Sequence, residues 1–146
     1  MNPISLLTAA DLPQALAIEQ RSHAFPWSAQ TFASNQGERY FNLAARRDER
    51  LVGFAITQQV LDEATLFNIA IDPDYQRQGI ARALLEQLIV ELEQRDVLTL
   101  WLEVRESNAR AIALYDSLGF NTVTVRKNYY PTADGREHAI IMALPL

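Results

Sequence analysis

The sequence predicts an α/β fold of the mixed α+β kind: a central, mostly antiparallel sheet with one parallel strand pair in its middle and about four helices. Three observations carry this. Residues 64–104 run strand, long amphipathic helix, strand, a crossover unit that makes its two strands parallel. Residues 40–61 and 122–144 each hold two strand-like runs separated by a polar turn or loop. At 146 residues the chain fits one domain, 1–146, able to bury roughly 68–70% of the surface its unfolded form exposes.

The elements follow in order. A short strand at Ile4 to Leu7 precedes Thr8 and Asp11, a helix start signal ahead of "LPQALAIEQRS". Pro26 breaks the chain, and Ser28 is placed to cap a short second helix in "FPWSAQTFASN". "YFNLAAR" and "LVGFAITQQVL" flank the polar "RDER" and read as a hairpin. "ATLFNIAI" is a further strand, stopped at Asp72-Pro73. The clearest helix follows, with Ala81, Leu84, Leu85, Leu88, Ile89 and Leu92 recurring at spacings of three and four. In "LTLWLEV", Leu98, Leu100, Leu102 and Val104 alternate with Thr99, Trp101 and Glu103, the period of a strand. "NARAIALYDSLGF" is a helix closed by Gly119, and "TVTVRKNYY" and "HAIIMAL" are two more strands joined by a polar loop with Asp134-Gly135.

Composition removes several function classes. A formal net charge of −5 opposes nonspecific nucleic-acid binding, which needs a basic face. No basic leader opens the chain and no apolar run approaches a membrane-spanning length, so neither nucleic acid nor membrane is expected as a partner and a cytoplasmic location is. With zero cysteines there is no disulfide, thiolate metal site or cysteine nucleophile. His23 and His138 stand far apart without a zinc or triad pattern, so each reads as an ordinary surface or core histidine, and no metal is expected.

The stretch "IDPDYQRQGIARALLEQL", residues 71–88, is unusual for a helix start. Acids favour the first turn, where the helix dipole is positive. Here Arg77 and Arg82 bracket the start, and the first acid inside the helix is Glu86. Unpaired amides, small residues at Gly79 and Ala81, and two arginines make an anion site suited to holding a phosphate. The stretch has neither the Gly-Lys-Ser/Thr of a P-loop nor the three glycines of a dinucleotide fingerprint. Close packing of small residues beside solvated arginines is the competing explanation.

Gln76-Arg77-Gln78-Gly79-Ile80-Ala81 resembles the Gln/Arg-x-x-Gly-x-Gly/Ala signature of the GNAT acetyltransferase family, and Asn108, Ala111, Leu114-Tyr115 and Gly119-Phe120 resemble its next segment. "HAFPWS", "FASNQGERY", "LDEATLFNIA", "TLWLEVR" and "RKNYYPTADG" extend the likeness over the whole chain, toward the bacterial RimI group within that family. The resemblance implies a GNAT-like sheet whose parallel strands splay apart, and acetyl-CoA as co-substrate. It also implies an acceptor, the N-terminal alanine of small-subunit ribosomal protein eighteen. By the same resemblance the diphosphate lies on the amides of Arg77, Gln78, Gly79, Ile80, Ala81 and Arg82. The pantetheine runs beside Ile69, Ala70 and Ile71 like an added strand, and Asn108 adds a contact. Glu103 is then the general base and Tyr115 the general acid.

Chemistry agrees with those roles. An α-amine, with an unperturbed pKa of about 7.7–8.0, must lose a proton before attacking a thioester, and the leaving thiolate must gain one. Glu103 is the sole acid on its strand, and burial beside Trp101 or under a bound substrate would strengthen it as a base. Tyr115 shares a helix face with Ala111, Leu114 and Leu118, which is also where a core tyrosine would sit. Without a cysteine, direct attack of the amine is the economical route. Phe25, Pro26 and Trp27, with Tyr129, Tyr130 and Pro131, are aromatic clusters in expected irregular segments that either wall a peptide groove or pack over the sheet edge. Glu38 and Asp62 are left as solvated charges. Two other functions stay open: acetylation of a small-molecule amine or a lysine, and noncatalytic acetyl-CoA binding.

Overall fold

The computed structural model describes residues 4–146. The expectations of a domain starting at residue 1 and of a missing basic leader fall in part on residues 1–3, outside the described residues. One seven-stranded sheet runs in the order β1 (Ile4–Leu6), β2 (Leu43–Arg47), β3 (Arg50–Val60), β4 (Glu63–Ile71), β5 (Thr99–Arg105), β7 (Gly135–Pro145) and β6 (Asn121–Thr132). All neighbours are antiparallel except β4 and β5, the pair joined by the predicted crossover.

The hairpin joining β2 and β3 turns on Asp48 and Glu49, whose φ values of 49° and 69° match the mirror-image turns that suit the twist of a hairpin. At the far edge the structure corrects the sequence reading. β6 and β7 extend to Thr132 and Gly135, so the expected loop is a tight turn, and the strand that holds Tyr129 and Tyr130 takes in Pro131 as well. The register slips between Arg126 and Tyr130, and Asn128 adopts a φ of 51°. That bulge bends the edge strand where a flat one would invite further pairing.

Helices cover both faces. A 3-10 turn at Ala9–Asp11 leads into α1 (Leu12–Ser22), and the Thr8 amide donates to the Asp11 carboxylate at 2.8 Å. In α2 (Ala29–Ser34) Ser28 caps as expected, its Oγ accepting from the Thr31 amide at 3.1 Å. Ala15 and Ile18 of α1 and Phe32 of α2 pack with Leu51, Phe54, Ile56 and Ala70 of the sheet.

The opposite face carries α3 (Ile80–Gln94) and α4 (Ala109–Ser117). Leu84, Leu85, Leu88 and Leu92 are each 0% exposed, and burying one such side chain contributes about 1.5–3 kcal/mol. Ile80 joins them, whereas Ala81 and Ile89 are only half-buried. Leu98, expected on the buried face, precedes β5 and is 58% exposed. Gly119, at φ 101°, ends α4 in the left-handed conformation that glycine adopts freely. The Phe120 amide then returns to the Tyr115 carbonyl at 3.0 Å. No helix among the described residues is long and apolar enough to cross a membrane.

Candidate active site

The corner between β4 and α3 is built by local hydrogen bonds. Asp72, 2% exposed, caps the turn Pro73–Tyr75 by accepting from the Asp74 amide at 3.0 Å. Its carboxylate also pairs with Arg21 at 3.0 Å and Arg50 at 3.5 Å. Arg77 and Gly79 then take φ values of 63° and 79°. A Cβ at Gly79 would meet nothing within 4 Å, so the glycine there serves the backbone turn. The first helical bond at this end joins the Ala83 amide to the Gly79 carbonyl at 3.0 Å. The amides of Ile80, Ala81 and Arg82 therefore have no intrahelical acceptor, the first turn carries no acid, and no side chain caps it.

Next to this corner the sheet splits. β4 and β5 pair only from Glu63–Thr99 to Leu66–Leu102; beyond that, β4 stays with β3 and β5 stays with β7. The Asp72 amide donates to the Val52 carbonyl at 2.8 Å. By the alternation of an antiparallel ladder, Ala70 then exchanges bonds with Phe54, while Ile69 and Ile71 turn their polar groups into the gap. Ser22 Oγ and Gln76 Nε2 each donate to the Ile71 carbonyl at 3.2 Å. A cavity of about 520 Å³ fills the corner and the gap, and every predicted coenzyme residue except Gln78 lines it: Ile69, Ala70, Ile71, Arg77, Gly79, Ile80, Ala81, Arg82 and Asn108. Arg82 donates to Ser117 Oγ at 2.6 Å. Asn108 also caps α4, its Oδ1 accepting from the Ala111 amide at 3.2 Å.

Tyr115 stands between this cavity and a second one of about 490 Å³, which also takes in Glu103, Phe25, Trp27 and Tyr130. Burial, with Tyr130 beside it, pushes the Tyr115 phenol up to about 12. It stays protonated at neutral pH and can donate. Glu103 keeps 32% of its side chain exposed and pairs with Arg126 at 3.3 Å. Trp101 donates its indole N–H to Glu63 at 3.2 Å. Of the aromatic clusters, Pro26, Tyr129 and Pro131 stay outside the cavity. Arg105 ties its rim together, its guanidinium 5.3 Å from the Phe25 ring centre and 4.5 Å from that of Tyr130.

Sequence reading passed over a cluster at the back of this cavity. Glu19, 1% exposed, accepts from the Trp27 amide at 2.9 Å and Asn68 Nδ2 at 3.0 Å, and bonds His23 Nδ1 at 2.8 Å. Burial pushes its carboxyl up, but these three donors together hold it below the usual range. The available signal was an acid placed with Ala15, Ile18 and Ser22 on the inner side of α1. Among the described residues no group of three or more histidines, aspartates and glutamates is placed to hold a metal.

A mixed sheet opened at its one parallel pair, with an acid-free helix start at the opening, defines the GNAT class of N-acetyltransferases. The family model "Acetyltransferase (GNAT) family" matches residues 6–120, and the chain belongs to that family. Among its relatives is the ribosomal protein bS18-alanine N-acetyltransferase of Escherichia coli K12, 71% identical over 146 residues, spanning 100% of this chain and 99% of that protein. The enzyme of the same name from Haemophilus influenzae is 54% identical over 144 residues, 98% of each chain. The crystal structure of the Escherichia coli ribosomal-protein-S18-alanine N-acetyltransferase superposes with a TM-score of 0.97 at 72% identity, covering 99% of this chain and 94% of that one. With relatives so named, the chain is an acyltransferase.

Proposed function

We propose that residues 1–146 act as one acetyl-CoA-dependent domain that acetylates the N-terminal α-amine of an alanine-starting protein, ribosomal protein bS18, in the cytoplasm. One observation carries the chemistry. Glu103 and Tyr115 both line a single cavity that continues, past Tyr115 and Asn108, into the one at the start of α3. The relatives' shared name supports the substrate.

The free amides of Ile80, Ala81 and Arg82, with the Arg77 and Arg82 guanidiniums, suit a diphosphate. The inward-facing groups of Ile69 and Ile71 suit an amide-bearing pantetheine arm lying as an added strand. Acetyl-CoA supplies an activated acyl carbon. Around it, Glu103 takes a proton from the amine, directly or through water, so that nitrogen can attack. Tyr115, neutral and shielded, gives its hydroxyl proton to the departing sulfur. Phe25, Trp27 and Tyr130 wall the side from which an extended peptide enters.

Peptides with free and blocked N-terminal alanine, incubated with acetyl-CoA and weighed intact, test the reaction. Only the free ones should gain an acetyl group, on the α-nitrogen; acetylation of lysine alone would overturn the reading. Glu103→Gln and Tyr115→Phe should each lower kcat by more than about tenfold with little change in coenzyme affinity. Two fully active variants would remove both residues from the mechanism.

A further inference from the structure

Converting a protonated amine into an amide releases two protons, one before nitrogen attacks and one as the C–N bond forms. The C–S bond breaks with its electron pair on sulfur, which takes up one proton through Tyr115, and the other leaves for solvent. A single carboxylate at Glu103 accepts one proton at a time, so for both protons to leave nitrogen through it, it has to be emptied between the two transfers.

The groups sharing the cavities with Glu103 include one built for that task. His23 lines both cavities and keeps 40% of its side chain exposed, so it reaches both the reaction space and bulk water. Its Nδ1 lies 2.8 Å from Glu19, whose carboxylate is 1% exposed. An ionised carboxylate can only accept, which places the proton of a neutral ring on Nδ1 and leaves Nε2 as the acceptor. Among the described residues Nε2 takes no hydrogen bond. Glu19 is itself fixed from two further directions, by the Trp27 amide and by Asn68 of β4. The other charged and titratable groups around the two cavities are Arg105 and Tyr130 in the second, Tyr75, Arg77, Arg82 and Arg110 in the first, and Tyr115 in both. None of them pairs a neutral, open acceptor nitrogen with a buried anion.

We propose that His23, oriented by Glu19 as a positioning residue, is the second proton acceptor of the site. The proton first taken by Glu103 passes through cavity water to His23 Nε2 and on to solvent, which frees Glu103 for the second, and that second proton then passes to the Tyr115 oxygen, replacing the one given to sulfur. The step rests on the acetyl-transfer reaction proposed above. The Glu19 carboxylate stabilises the imidazolium while it lasts.

The test compares the whole chain with its His23→Ala variant on a free-alanine peptide, with and without added imidazole. Turnover should fall by at least about tenfold, and imidazole should restore it in proportion to its free-base fraction as pH is varied. Glu19→Gln should lower kcat while leaving KM in place, because it removes the buried negative charge that stabilises the imidazolium. A His23→Ala chain that turns over like the wild type, or whose loss imidazole does not repair, overturns the proposal. So does Glu19→Gln with unchanged kcat. A wild-type chain that transfers no acetyl group fails the reaction itself, an outcome separate from normal transfer by both chains.

Discussion

Asp11 shows how one side chain makes stability depend on pH. It is 5% exposed, and Arg46 approaches its two oxygens with two nitrogens, each at 2.8 Å. The Arg46 hydrogen bonds, opposed by burial and helped by the Thr8 amide, hold the carboxyl at about 2. The folded value lies below the unfolded one, so the contribution is complete above about pH 4 and is lost as pH falls through the folded value near 2. Its size is about 2 kcal/mol, and Asp11→Asn should lose that much at neutral pH and almost nothing at the acid end. Urea unfolding of both chains across that range checks it; a gap independent of pH would mean that the ion pair is not its source. The tyrosines give the opposite sign. Burial first, then Glu103 and Tyr129, push Tyr130 up to about 12, as burial does Tyr115. Their contribution is complete below about pH 10 and declines as pH rises through 12. Among five tyrosines these two should ionise last in an ultraviolet titration, and Tyr115→Phe should delete one late step.

At the scale of elements, α3 sets two demands on one residue. Its amino end has no acid in the first turn, which leaves the helix dipole unmatched but keeps the site open to an anion. Arg82→Glu separates the two. A carboxylate in the first turn should return about 0.3–1 kcal/mol to the helix, partly offset by the lost bond to Ser117. The melting temperature should hold or rise while acetyl-CoA affinity drops by more than about tenfold. A variant that binds coenzyme normally would remove Arg82 and its neighbouring amides from the phosphate site. This end of the helix was legible because its signals are local: the apolar spacing of three and four, the missing acid and the small residues all lie within one stretch. The Ser28 cap and the hairpin at Asp48 and Glu49 were legible for the same reason. Pro131 and Thr132 were not, since this end of the strand exists through pairing with Arg136 and Gly135 of β7, and a proline at a sheet edge looks like a loop. The Glu19 cluster was hidden too, because it joins residues 49 positions apart in sequence, and no local pattern states that Asn68 will answer a buried acid on α1.

For the molecule as a whole, the split between β4 and β5 divides one sheet into two antiparallel blocks, β1 to β4 and β5 to β6, stitched only at four registered pairs. A ligand lying in the gap touches the first block through Ile69 and Ile71 and, on the other side, Asn108 and Tyr115 at α4, the helix that connects β5 to β6 of the second. Binding should therefore act on the whole fold. At a concentration about a hundredfold above Kd it adds about 2.7 kcal/mol, which for a chain of this length is a rise of roughly 5–10 °C in melting temperature. Hydrogen exchange tells where the contact is made. The Ile69 and Ile71 amides face the gap and should slow sharply when acetyl-CoA is added. The Ala70 amide, already committed to Phe54 by the alternation of the ladder, should change least of the three. An adenosine diphosphate fragment, which lacks the pantetheine arm, should protect the α3 amides and leave Ile69 and Ile71 fast. If the fragment protects both sets equally, the slowing comes from general tightening of the fold, and the arm does not bridge the two halves of the sheet.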